Sequence, residues 1–319
     1  MPEQLFCYFY GMENFDFNPR AYFAQKEDYC EYLFNTRGPF WHICTPGNLQ
    51  ECIFINDMEY RIGVNSAALT KGPVVLFSST VMSNHLHDIA AGQHDEVMGF
   101  FDRRKRMLQR FVKETGRTVD LSRFSCKIIP IDSLKALRNE IVYVHRNGYL
   151  AHPSFTPFSY PWSSGRHYFN PGLDADGLRY ASLSYKEKRS LCRGRILPLP
   201  DDWIVKDGMI SIKSFVDIVG GEQFFRDPHQ YFSLLSKSYE AYSETAKRLG
   251  DQIFLSDEEI FSAVCTLCRK NFNQSHPAAL APAEKVNVAI EMKKRYNASN
   301  GQIRRILHLD TKIVKELFP

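Results

Sequence analysis

An α+β fold is predicted for this chain: a ferredoxin-like split βαβ domain with an antiparallel central sheet, followed by a helical C-terminal region. Three observations predict it. Strand-like and helix-like segments alternate in the order β-α-β-β-α-β-α between residues 40 and 147. Two of those strands adjoin near Ser83-Asn84 with no helix between them, which places a hairpin at the centre of the sheet. Beyond Asn147 the alternation stops, and the last ~70 residues read as short helices.

The elements follow in order. "FWHICT" (Phe40–Thr45) is a strand by its aromatic and β-branched content, and Pro46-Gly47 ends it. "NDMEYRIGVNSAALTKG" is helical and is closed by Gly72-Pro73. "VVLFSSTVM" and "NHLHDIAA" form the hairpin. Residues 94–116 make a long amphipathic helix, with Val97, Phe100, Phe101, Met107, Leu108, Phe111 and Val112 on its apolar side. "CKIIPI" is a short strand, and "DSLKALRNEIVYVHRN" a helix for which Asp132 is the expected N-cap. The segment "YLAHPSFTPFSYPWSSGRHYFNPG" is rich in Pro, Ser, Gly and aromatics, hence irregular. Residues 171–250 read as helices and loops with no assignable chemistry. Near the C-terminus, Ser299 and Gln302 fit a capping box, and a turn over Leu307–Asp310 precedes another helix. That pattern is either helix-turn-helix-like or a plain helical cap on the preceding domain.

Bulk properties narrow the classes. The 319 residues are 44% hydrophobic and 24% charged, with no apolar run near the length of a membrane span, so no membrane partner is expected. The N-terminal stretch has no basic region followed by an apolar core, as a secretory signal would. The eight cysteines are scattered and only Cys265 and Cys268 form a C-x-x-C, which points to reduced thiols and a cytoplasmic setting. Net charge is a mild +4, but it is concentrated. Arg103, Arg104, Lys105, Arg106, Arg110, Lys113 and Arg117 fall within about four turns, and "KKRYNASNGQIRRILHL", with Arg304 and Arg305, forms a second cluster. Such runs are solvated helix faces or phosphate-binding surfaces.

His85 and His87 flank a single leucine. On a strand both imidazoles point to one face, with Leu86 and Asp88 on the other. Two adjacent imidazoles are half of a metal site or the polar edge of an ordinary strand. In the helix after the last strand, Leu134, Leu137, Ile141 and Val144 make the apolar stripe, and Tyr143 lies nearly opposite its centre, with Asn147 one turn further on. Tyr143 is therefore expected off that helix's core seam, as a surface or interdomain tyrosine or as a hydroxyl presented to a substrate.

Met82-Ser83-Asn84-His85-Leu86-His87, then Tyr143-Val144-His145-Arg146-Asn147, then Tyr160-Pro161-Trp162-Ser163-Ser164, occur in that order. Together they resemble the REP-associated tyrosine transposase branch of the single-tyrosine HUH transposases, over roughly residues 38–170. Two positions depart from the family pattern: Gly148 stands where proline is usual, and Asp88 where an apolar residue is usual. The resemblance implies metal-dependent nicking and strand transfer on single-stranded or hairpin DNA. It implies Mg²⁺ or Mn²⁺ held by His85, His87 and Asn147, and Tyr143 as the nucleophile that forms a 5′-phosphotyrosine link. On that reading Arg103, Arg104, Lys105, Arg106 and Arg110 contact the DNA backbone, Arg304 and Arg305 contribute from the C-terminal region, and Trp162 stacks on unpaired bases. The alternative for Tyr160 and Trp162 is core packing. Relatives work as monomers or as dimers that share active sites, so a homodimer is possible. His42 and His145 match none of the family's metal positions.

The implied organisation is an N-terminal extension (1–37), a catalytic domain (38–170), a connecting region (171–250) and a helical DNA-binding region (251–319). A histidine-triad hydrolase would need a third histidine at position 89, which is isoleucine. A (β/α)₈ metallohydrolase needs about eight strand–helix units, and the alternation here ends near 147. The remaining rival is a transposase-derived DNA-binding protein without turnover.

Overall fold

The computed structural model describes residues 23–45, 52–117, 124–150, 159–173, 176–236, 257–274 and 276–318, together with 119, 121 and 155. Most of the expected N-terminal extension, much of the stretch joining Asn147 to Tyr160, and residues 237–256 lie outside them.

The predicted alternation is observed. After helix α1 (Lys26–Arg37) come β1 (Phe40–Cys44), α2 (Asp57–Thr70), β2 (Val75–Val81), β3 (Leu86–Ala91), α3 (His94–Glu114), β4 (Lys127–Ile131) and α4 (Leu134–Leu150). The four strands pair antiparallel in the order β2-β3-β1-β4. The hairpin of β2 and β3 closes through Met82 N–H donating to His85 O at 2.9 Å. The N-cap of α4 is Ser133, whose hydroxyl accepts from Ala136 N–H at 3.2 Å, rather than Asp132.

The sheet is covered on both faces, whereas the split βαβ pattern leads one to expect helices packed on one face only. Helices α2 and α3 pack together on one face, and α4 lies over β2 and β3 on the other. Every residue of β3 is consequently buried, as is β2 from Leu76 onward. Gly63 lets α2 approach closely, since a Cβ there would sit 2.7 Å from Val81 Cγ1 and 2.9 Å from Phe54 Cζ.

Residues 171–236 add three short strands where only helices and loops were expected: β5 (Leu178–Arg179), β6 (Ile204–Lys206) and β7 (Met209–Ile210). They accompany helices α5 (Tyr185–Leu191), α6 (Ile212–Phe215), α7 (Ile218–Glu222) and α8 (Pro228–Ser236). This region and the segment before it protect the outer edge of β2, because Asp217 N–H donates to Leu76 O at 2.7 Å and Val81 N–H donates to Trp162 O at 3.0 Å. The C-terminal helices are α9 (Asp257–Phe272), α10 (Pro282–Tyr296), α11 (Asn300–Leu307) and α12 (Thr311–Leu317). Ser299 and Gln302 form the expected capping box, and the turn passes through His308 at φ 52° to an Asp310 cap.

Candidate active site

Pleating puts His42 of β1 and His87 of β3 on the face that α4 covers. Register pairs His42 with Ile89 and Cys44 with His87, so the two histidines are diagonal neighbours. Above them α4 presents Glu140, Tyr143 and Asn147 at i, i+3 and i+7, one helical face. This face was expected to point away from the core. It instead lies against the sheet, and Tyr143 is 1% exposed.

The ring centroids of His85 and His87 are 5.1 Å apart, and that of Tyr143 lies 5.6 Å from His87 and 6.0 Å from His42. Asn147 places its amide nitrogen 3.4 Å from His87 Nε2. His85 Nδ1 meets Asn84 Oδ1 at 2.7 Å. All four residues implied by the resemblance thus stand together, contributed by the β2–β3 turn, β3 and α4.

Two further residues join them. His42 Nε2 is 3.1 Å from His87 Nδ1, and His42 Nδ1 is in close hydrogen-bonding contact with the Glu140 carboxylate. With His42 neutral, the proton roles follow in sequence. The carboxylate accepts from His42 Nδ1–H, which leaves His42 Nε2 as an acceptor. His87 Nδ1 must then donate, so the lone pair of His87 lies on Nε2, the atom facing Asn147. In that protonation state a carboxylate fixes the tautomer of His87 through an intervening ring. The sequence signal for Glu140 was its i, i+3, i+7 spacing with Tyr143 and Asn147, and for His42 its place in a strand beside the histidine hairpin.

His145 is not part of this cluster. It is buried between Tyr231 Oη at 3.0 Å and Ser164 Oγ at 2.9 Å, and burial, with His167 nearby, lowers its pKa to about 3. It is a neutral packing residue.

Two residues expected on DNA are placed elsewhere. Arg104 is buried, donating to Asp88 Oδ2 at 2.5 Å, Ser66 Oγ at 2.9 Å and Gly63 O at 3.3 Å, so it has no free face for a phosphate. Trp162 is buried in a stack on Tyr60, with centroids 5.3 Å apart and planes 16° from parallel. Packing, the alternative already open for that aromatic, describes it. Arg103 donates to the carbonyls of Thr70 and Lys71 at the end of α2. Lys105 is half-buried, while Arg106 and Arg110 are exposed. Arg304 is exposed near Thr311, and Arg305 is held by both oxygens of Asp257 at 2.6 and 2.9 Å.

No family model and no curated protein matches the chain. Among solved structures, it is similar to a chain described as the structure of the REP associates tyrosine transposase bound to a REP hairpin, with 15% identity and a TM-score of 0.34. The likeness covers 43% of this chain and 82% of that one, and at that score it carries no weight for what the chain does.

Proposed function

We propose that this chain breaks and rejoins single-stranded or hairpin DNA through a 5′-phosphotyrosine link on Tyr143. The observation that carries the reading is convergence: Tyr143 and Asn147, on one face of α4, both meet His87 of the central hairpin, at 5.6 Å between rings and 3.4 Å between nitrogens. In the proposed step Tyr143 Oη forms a bond to phosphorus and the bond from phosphorus to the 3′ oxygen breaks. The phenol gives up one proton and the departing 3′ oxygen gains one, so the charge balances. Because the phosphodiester energy is kept in the protein–DNA bond, rejoining to another 3′ end needs no nucleotide cofactor.

The reading calls for a divalent ion held by His85, His87 and the side-chain oxygen of Asn147, a set that suits Mn²⁺ better than Mg²⁺. Among the described residues no group of three or more His, Cys, Asp or Glu side chains is placed to hold one. A bound ion would polarise the scissile phosphate as a Lewis acid. Among the described residues no helix is long and apolar enough to cross a membrane.

DNA binding without turnover is the second reading, and the burial of Tyr143 favours it: in this conformation a phosphate does not reach the phenol. One experiment separates the two. The protein is incubated with labelled single-stranded hairpin DNA and Mn²⁺ or Mg²⁺, then denatured, and covalent protein–DNA adduct is measured. Adduct mapped by peptide mass spectrometry to Tyr143 is the expected result, and DNA binding with no adduct would establish the second reading.

The Glu140–His42–His87 chain makes its own prediction. Glu140→Gln and His42→Ala are expected to weaken Mn²⁺ binding by about 10–100-fold, measured by electron paramagnetic resonance of the free ion, while DNA binding without metal is retained. Unchanged Mn²⁺ affinity in both variants would leave the chain with no role at the site.

A further inference from the structure

The geometry points to a second DNA-backbone site on the opposite side of the sheet from Tyr143, in a groove between α3 and the chain following α5. The inference rests on the DNA-processing reading above and assigns it a second contact surface. The groove encloses about 630 Å³. One wall is α3, with Arg106, Arg110 and Lys113, and the other carries Arg193 and Arg195. Among the described residues no carboxylate lines it.

Its cations differ in what they do. Arg193 is fixed, paired with Glu114 and seated 5.4 Å over the Phe111 ring. Arg106, Arg110, Lys113 and Arg195 are exposed and, among the described residues, have no acidic partner. Four like charges facing one groove repel one another unless an anion lies between them, and they raise the local concentration of polyanions. Arg106, Arg110 and Lys113 follow one another at i, i+4 and i+7, one face of α3. At 1.5 Å per residue they span about 10 Å, the axial rise of about three nucleotides. A run of phosphates matches that row, whereas one small anion would engage only part of it.

Position sets how this site relates to cleavage. Asp88 points from β3 toward α3, and His87 points from β3 toward α4. The groove lies on the far side of α3, so DNA held there is separated from Tyr143 by the sheet and a helix, on the order of 20 Å at about 10 Å per layer. At about 3.4 Å per nucleotide that is six nucleotides or more. The groove therefore holds DNA flanking the reacting phosphodiester. Its second wall, residues 192–197, lies outside the stretch that resembles the transposase family.

The test is the salt dependence of binding to a fluorescein-labelled single strand of about 40 nucleotides, read by anisotropy. Neutralising three groove cations (Arg106→Gln, Arg110→Gln, Arg195→Gln) is expected to lower the slope of log Kobs against log[salt] by about 2, at about 0.7 per phosphate contact on a single strand. The control neutralises three exposed cations elsewhere (Arg179→Gln, Lys186→Gln, Lys206→Gln), and its slope is expected to match the parent. All six side chains are exposed, and unchanged thermal melts confirm that both variants fold. Equal slopes for the groove variant and the control would overturn the groove. Adduct formation at Tyr143 is scored separately on the parent protein. Adduct with no slope change sinks the groove alone, and a slope change with no adduct sinks the nicking reading alone.

Discussion

Tyr143→Phe is expected to form no covalent adduct with DNA, while it binds Mn²⁺ and DNA as the parent does. The substitution removes one oxygen from a ring packed 5.6 Å from His87 and 6.0 Å from His42, so the surrounding aromatic packing is kept. What disappears is the only atom of that side chain able to attack phosphorus. A free phenol ionises near ~10, so attack at neutral pH needs a setting that favours the phenolate at this residue in particular.

Tyr143 is itself buried, so what sets it apart from neighbouring tyrosines is its place beside His87 and His42 rather than its exposure. Tyr160 donates its hydroxyl to Val81 O at 2.7 Å, and burial pushes its pKa far up. Burial raises Tyr60 to about 12. Tyr168 donates to Phe77 O and is also raised, by burial first and then by the nearby Tyr231. A residual adduct in Tyr143→Phe is therefore not expected from these groups. Tyr149 is the next tyrosine in the chain after Tyr143, and the companion variant Tyr149→Phe should retain the adduct. Loss of adduct in Tyr149→Phe together with its survival in Tyr143→Phe would reassign the nucleophile. Denaturing gels and peptide mapping distinguish the outcomes directly.

The central hairpin, the order of strands and the pairing of His85 with His87 were legible in the sequence because each rests on local spacing. The site's outer members were legible only in part. Glu140, Tyr143 and Asn147 share a helical face in any reading of the sequence, but nothing local says that this face turns toward the sheet. The apolar stripe Leu134, Leu137, Ile141 and Val144 signals one buried side, and the structure buries both. A helix enclosed by the sheet on one side and by α1 and α8 elsewhere needs polar residues that satisfy one another, and the Glu140–His42–His87 chain does this. Charge runs misled in a different way. Arg104 sits among three cationic neighbours, Arg103, Lys105 and Arg106, yet its spacing from Val97, Phe100 and Phe111 places it on the buried stripe of α3. The periodicity held the information that the charge count concealed. Its partner Asp88, 16 residues earlier, is buried with it, since the two charges need each other.

Arg104→Met is expected to destabilise the protein by about 3–5 kcal/mol, the range for removing one partner of a buried ion pair. Asp88 is 2% exposed and Arg104 1%, and Asp88 Oδ1 has no hydrogen-bond partner, so loss of the guanidinium would leave a buried carboxylate with little to stabilise its charge. Burial already pulls the Arg104 pKa down, and Asp88 opposes that pull. Asp88→Leu should cost a similar amount by stranding the cation between Ser66 Oγ and Gly63 O. The double variant Arg104→Met, Asp88→Leu is expected to recover most of the loss, because removing both charges also removes the cost of burying them. Urea denaturation of the four proteins measures this as a coupling energy, and two single-variant losses that simply add would show that the pair contributes nothing as a pair. The cycle also bears on the site. Asp88 follows His87 in β3 and is tied to α2 and α3 through Arg104, so the network anchors from behind the strand that carries the histidine. If stability returns in the double variant and Mn²⁺ affinity returns with it, the anchoring is a matter of packing, which an apolar pair supplies as well.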